Sequence, residues 1–144
     1  MTRARDLASN ILPGGWISYT PTFTNLTVGN GTINAAYVQI GKTVKVRISF
    51  TWGSTTSATS SPTIVSLPVS ARNVGTSYGV GTAYMENAGI AGYITGITMN
   101  TASSAVVFPV IGSNGLVGTN VTGSQPFTWG VADFFQTIFT YEAA

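Results

Sequence analysis

Residues 43–52 are TVKVRISFTW, a stretch in which polar and apolar side chains alternate without a break. The apolar side chains fall at every second position from Val44 to Trp52. Because a strand turns successive side chains to opposite faces, this period predicts a β-strand with one buried face and one solvent face. The stretch therefore predicts an antiparallel sheet that covers a core on one side.

The flanking segments extend this prediction to a β-domain. Residues 32–40 precede the stretch across Gly41 and Lys42, which predicts a hairpin. A second hairpin is expected between residues 77–86 and 90–100, and further strands at 63–68, 105–110 and 134–141. The Ser/Thr-rich residues 53–62 and the turn-rich residues 112–123 are expected to be loops. Short strands with turn signals about every ten residues indicate an all-β, antiparallel β-sandwich or jelly-roll-like domain.

The N-terminal residues differ in composition from the rest of the chain. Residues 1–15 combine charged residues with Ala, Leu and Ile at a helical spacing, and they end in Pro13-Gly14-Gly15. This pattern predicts a short helix or extended arm with a Gly hinge, followed by a β-sandwich over residues 16–144. An arm this short is not stable alone, so it must dock on a partner or on its own domain. The residues expected to dock are Arg3, Arg5, Asp6, Leu7, Ile11 and Trp16.

The composition argues against enzyme chemistry. The chain has no histidine and no cysteine, which excludes Ser-His-Asp and Cys-His nucleophile arrangements and ordinary zinc sites. It has four carboxylate side chains, of which Glu86 and Asp133 are expected beside turns at strand ends. Neither a catalytic carboxylate pair nor a calcium site is expected from so few acids. We therefore expect no catalytic residue, no metal site and no cofactor.

The charge content bears on the partners. Charged residues make up 7% of the chain, whereas an average soluble domain has roughly 25%. A surface so poor in charge favours a homo-oligomer, in which identical copies cover part of it. The net charge of +2 has no dense basic stripe beyond Lys42, Lys45 and Arg47, so no nucleic-acid partner is expected. The sequence has no apolar run of the roughly 18 residues that a membrane span needs and no secretory signal peptide, so we expect synthesis in a cytoplasm without membrane insertion.

Carbohydrate binding is the main functional alternative. Exposed aromatic faces beside amide side chains are typical of sugar sites, and aromatic residues make up 11% of this chain. The residues expected to face a glycan are Tyr78, Tyr93 and Trp129. Trp52 continues the apolar face of its strand and is expected in the core.

Several short motifs, in order, resemble one family of proteins. They are the segment that opens at Trp16, AYVQIGKTV at 36–44, SLPV at 66–69, GTAYM at 81–85, PFTW at 126–129 and TYEAA at 140–144. Together they span almost all of residues 16–144. They resemble a family of β-sandwich proteins in the virions of bacteriophages that infect actinobacteria. Its members are labelled capsid decoration, minor tail or tail-fibre tip proteins.

The resemblance implies a non-enzymatic component of the virion surface, made in the bacterial host cytoplasm and assembled as a trimer. Nothing like a fibre shaft precedes Trp16 in this sequence. We therefore expect a capsid decoration or head-fibre protein. Its N-terminal arm would dock on the major capsid protein or a tail protein, and its oligomeric β-domain would face outward. The alternative is a tail-tip or receptor-binding domain that recognises host-surface glycans.

Overall fold

The computed structural model describes residues 15–99, 105–107, 109–111 and 117–144, and in these ranges the regular structure is all β. The strands are β1 (Ile17–Ser18), β2 (Phe23–Thr24), β3 (Leu26–Thr27), β4 (Thr32–Ile40), β5 (Thr43–Thr51), β6 (Ser57–Ala58), β7 (Ile64–Ser66), β8 (Tyr78–Asn87), β9 (Ala91–Met99), β10 (Ala105–Val107), β11 (Pro109–Ile111), β12 (Val117–Asn120) and β13 (Phe134–Glu142). The predicted all-β, antiparallel fold class is confirmed. The predicted arm lies outside the described residues up to position 14.

Both predicted hairpins form. Strands β4 and β5 pair along their whole length, and Ile40 is opposite Thr43 across the turn. Gly41 in this turn has a φ of 58°, a left-handed conformation that glycine adopts without steric cost. Strands β8 and β9 form the second hairpin, and the backbone N–H of Ile90 donates to the carbonyl of Asn87 at 2.9 Å. The alternation of side chains and the turn residues therefore agree in setting the register.

Nine strands form one sheet in the order β1-β4-β5-β13-β8-β9-β10-β7-β2. The strand nearest the C-terminus, β13, lies inside this sheet. It pairs with β5 from Phe134 to Glu142 on one side and with β8 on the other. The centre of the sheet is therefore built from strands that are far apart in the sequence.

The sheet bends so that one of its ends covers its middle. Strand β2 is the last strand in the sheet order, yet the ring of its Phe23 lies 5.5 Å from that of Phe50 in β5. The same ring lies 6.3 Å from that of Phe135 in β13. Two parts of the sheet thus face each other across a shared core, as the two layers of a β-sandwich do.

The core lies between these layers, on the face that the alternation predicted. In β5 the side chains of Val44, Val46 and Phe50 are fully buried, while Lys45 and Arg47 between them are exposed. Trp52 continues the buried face and is stacked on Trp129, with 4.5 Å between the ring centroids. The prediction that Trp52 belongs to the core is confirmed.

Three segments differ from the sequence prediction. The expected single strand at 105–110 is two strands, because β10 pairs with β7 and β9 whereas β11 pairs with β12. Strand β12 lies in the segment expected to be a loop. The expected loop at 53–62 contains the two-residue strand β6, which pairs with β3. None of these short strands has an alternating apolar pattern long enough to be recognised.

Candidate functional site

The outer face of the central strands carries small, polar and apolar side chains in aligned rows. The pairing brings Asn34 of β4 next to Ser49 of β5, Ser49 next to Gln136 of β13, and Gln136 next to Tyr84 of β8. The neighbouring row consists of Ala36, Arg47, Ile138 and Thr82. These two rows lie on the face opposite the core, and only the sheet pairing brings their side chains together.

A groove of about 480 Å³ runs across these rows. We call it the sheet groove. Six of the residues that line it have side chains whose chemistry is suited to contact with a ligand: Asn34, Arg47, Ser49, Tyr84, Gln136 and Ile138. Arg47 of β5 and Tyr84 of β8 lie on either side of β13, which supplies Gln136 and Ile138 to the lining. This combination of polar and apolar lining is typical of small-ligand sites.

The Tyr84 side chain is oriented by its neighbours. Its hydroxyl donates to Oε2 of Glu86 at 2.9 Å, and this hydrogen bond raises the pKa of Tyr84 above its usual value. Its ring lies over Gly92, where an added Cβ would be 2.5 Å from the hydroxyl oxygen. The ring of Phe134 is 6.0 Å away, centroid to centroid. The aromatic side of the groove is therefore held in place in the absence of any ligand.

Arg47 supplies the positive charge of the groove. Its guanidinium carbon lies 4.6 Å from the ring centroid of Trp16, a cation–π contact. Within the described ranges, the guanidinium has no carboxylate partner. The contact also fastens Trp16 to the outer face of the sheet. Docking of Trp16 on a partner stays a prediction.

Two amides in the groove are available for a ligand. The side chains of Asn34 and Gln136 make no hydrogen bond to any part of the chain that the structure describes. Each amide has two N–H donors and a carbonyl acceptor. Together with Arg47 and Ser49, they offer a ligand both donors and acceptors within one groove.

The aromatic residues expected to face a glycan lie elsewhere. Trp129 is 9% exposed and stacks on Trp52, and its indole N–H donates to the carbonyl of Thr122 at 3.0 Å. Tyr93 packs on Phe127 at 5.2 Å between ring centroids, and Tyr78 is half-buried against the core. The burial of Trp129 does not fit the expectation for that residue. Tyr84 is the tyrosine of the groove, and its place between buried Ala83 and Met85 indicates its outward direction.

The described carboxylates make contacts that hold the fold. Asp133 is buried, and its two oxygens accept the backbone N–H groups of Ala88 at 2.8 Å and Gly130 at 2.6 Å. Glu142 pairs with Arg72 at 3.2 Å on the surface. Within the described ranges, no group of three or more acidic residues is positioned to hold a metal ion.

Two exposed aliphatic side chains lie on the loops that Asp133 joins at one end of the domain. Ile90, in the turn between β8 and β9, is 79% exposed, and Val131, in the loop before β13, is 66% exposed. Asp133 joins these two loops through its contacts with Ala88 and Gly130. We call Ile90 and Val131 the end patch.

The expected docking residues Arg3, Arg5, Asp6, Leu7 and Ile11 lie outside the described residues. The described ranges contain no helix with the length and apolar character of a membrane span. No protein-family model, curated protein or solved structure matches the chain.

Proposed function

We propose that the chain is a non-enzymatic structural component of a bacteriophage particle, a capsid decoration or head-fibre protein on the virion surface. The motif resemblance over residues 16–144 supports this proposal. The structural observation that carries it is the end patch. Exposed apolar side chains on a charge-poor surface support a role within an assembly, where a partner covers them.

The end patch fits self-association into a trimer. Its two members lie on loops that Asp133 holds together, so the patch is a preformed surface. Branched aliphatic side chains are stabilised when a second apolar surface removes them from water. Every copy of the chain carries this surface. In a homo-oligomer each end patch therefore has a matching apolar surface on another copy.

Docking is assigned to the N-terminal segment. Trp16 is held on β5 by Arg47, so a partner bound by the residues before Trp16 would sit at a defined place relative to the β-domain. The cations Arg3 and Arg5 belong to this segment. Contact with the major capsid protein or a tail protein through these residues would place the β-domain outward.

The contacts of the carboxylates support a non-enzymatic role. The buried carboxylate of Asp133 has both oxygens bound to backbone N–H groups, and Glu86 accepts the hydroxyl of Tyr84. A general acid or base needs a carboxyl group that is free to exchange a proton with a substrate. These carboxylates are instead used as hydrogen-bond acceptors within the domain.

The test is to label intact particles with an antibody against this chain and image them. Labelled heads are the expected result, and labelled tail tips would favour the receptor-binding alternative. Particles without any label would contradict the assignment to the virion. A second set of particles, carrying the chain without residues 1–13, tests the docking segment. We expect these particles to lose the protein, and full occupancy would show that another surface docks.

A further inference from the structure

We infer that the sheet groove binds a saccharide unit that bears a carboxylate. The inference goes beyond the proposed structural role and concerns a different surface from the end patch. It rests on the shape of the groove, on the amides of Asn34 and Gln136, which make no hydrogen bond within the described ranges, and on the charge of Arg47.

The shape and the sheet pairing exclude several other ligands. The groove is a depression of about 480 Å³, a volume in the range of small-ligand sites. Strands β5 and β13 are paired on both sides, so there is no free edge here to which an extended peptide could add a strand. Arg47 is the one charged residue in the lining, too little for a nucleic-acid backbone. A small ligand with a polar edge and an apolar face remains.

A sugar ring has this combination of surfaces. Its hydroxyl groups donate and accept hydrogen bonds, as the amides of Asn34 and Gln136 do. Its C–H face is apolar and can rest on the ring of Tyr84 or on Ile138. Because Tyr84 is already fixed by Glu86 and Gly92, little conformational entropy is lost when a ring packs against it.

The charge of the lining specifies the kind of saccharide. Arg47 brings one positive charge, and no acidic residue lines the groove. A guanidinium binds a carboxylate through two parallel hydrogen bonds, which are stronger than bonds between neutral groups. A uronic or sialic acid therefore satisfies Arg47 while its hydroxyls satisfy Asn34 and Gln136.

The experiment applies the purified full chain to a glycan array that carries neutral, uronic-acid and sialic-acid glycans. We expect binding to acidic glycans. Gln136→Ala should weaken it about tenfold by removing hydrogen bonds from the complex. Tyr84→Ala should weaken it as well, because the aromatic surface is lost. Thr140→Ala is the matched control, since Thr140 is exposed on the same face of β13 but does not line the groove.

Two further variants test the shape and the charge of the groove separately. Ser49→Trp adds bulk inside the groove without removing a ligand contact of Arg47, Asn34 or Gln136, and we expect it to abolish binding. Arg47→Gln should remove the preference for acidic over neutral glycans. Each variant is accepted only if its thermal unfolding midpoint shows a folded chain.

Three results would overturn the inference. The first is that the folded wild-type chain binds no acidic glycan. The second is that folded Ser49→Trp and Gln136→Ala bind as the wild type does. The third is that Arg47→Gln keeps the wild-type preference for acidic glycans. None of these results bears on particle labelling, so a failure of the saccharide site is distinguishable from a failure of the proposed structural role.

Discussion

Asp133 shows how a single residue can place a carboxylate in the interior of a domain that has few charged residues. Its carboxylate is buried, and both oxygens are paired with backbone N–H groups from two different loops. Burial of an ion without such partners would cost several kcal/mol. A side chain at position 133 therefore needs two hydrogen-bond acceptor atoms. A side chain with one acceptor cannot pair with both backbone N–H groups.

Asp133→Asn tests this dependence. The amide keeps the shape but turns one acceptor into an N–H₂ group that faces a backbone N–H. We expect the free energy of unfolding to fall by about 2 kcal/mol, the cost of one unsatisfied buried donor with its lost charge-assisted bond. Urea denaturation measures it. Glu142→Gln, at an exposed ion pair, should change stability by less than about 1 kcal/mol. Equal losses in both variants would contradict this account of Asp133.

Buried tyrosines make the domain sensitive to alkali. Burial raises the pKa of Tyr141 from 10.0 to about 12, and burial also raises that of Tyr19. Because the unfolded chain loses these protons first, the stability that these two tyrosines contribute should be constant well below pH 10 and should fall as the pH rises toward 12. Urea denaturation at a series of pH values measures this. Tyr141→Phe should reduce the slope above pH 10, whereas Thr140→Ala, which removes no ionisable group from the same strand, should leave it unchanged.

Strand β8 shows at the scale of an element why glycines occur inside a regular strand. The register between β8 and β9 shifts between Gly79 and Gly81. At Gly81 an added Cβ would lie 2.6 Å from Cβ of Phe139 and 2.7 Å from the carbonyl oxygen of Ile138. The close approach of β8 to β13 therefore requires a residue without a side chain.

Gly81→Ala and Gly79→Ala form a matched pair. The first should destabilise the domain by about 1–3 kcal/mol through overpacking against β13. The second has its nearest atom at 3.9 Å, so it should be tolerated. Thermal and urea denaturation of the two variants measure the difference. If Gly79→Ala cost as much as Gly81→Ala, backbone conformation rather than the contact with Phe139 would explain both glycines.

The elements also show which features a sequence reveals. The hairpin of β4 and β5 was predictable because one buried face imposes a strict period of two, and Gly41 marks its turn. Strand β12 was not, because VGTN at 117–120 has no apolar alternation. The burial of Trp129 is not evident from the sequence, because a tryptophan outside a regular strand has no period that shows its direction. The sheet groove required the pairing of β4, β5, β13 and β8, which no local pattern specifies.

The whole molecule has different surfaces at its two ends. The register of β5, β13 and β8 puts the end patch beside the Thr51 end of the sheet and the turn at Gly41 at the other end. Ile40 next to that turn is 63% exposed. Each end of the sheet therefore has exposed branched aliphatic side chains: Ile90 and Val131 at one end and Ile40 at the other. Substitutions at Ile40 can serve as the control for substitutions in the end patch.

The proposed self-association predicts that the double variant Ile90→Ser, Val131→Ser has a smaller mass in solution than the wild type, because it removes the apolar area that a partner copy would cover. Light scattering coupled to size-exclusion chromatography measures the mass. Ile40→Ser at the opposite end is the control and should keep the wild-type mass. An unchanged oligomer in the double variant would exclude the end patch as the contact surface.

The inner position of β13 has a consequence for the order of events during synthesis. Strand β13 pairs with both β5 and β8, and its residues 134–142 leave the ribosome after both of these strands. Strand β5, which ends at residue 51, is therefore synthesised long before this partner strand. Until then the nascent chain exposes apolar strands. It must depend on rapid pairing of β13 once this strand is made, or on chaperones, to avoid aggregation. Once β13 inserts, the two halves of the sheet close together. A chain with both halves of the sheet joined therefore appears only in a late step, after residues 134–142 have been made.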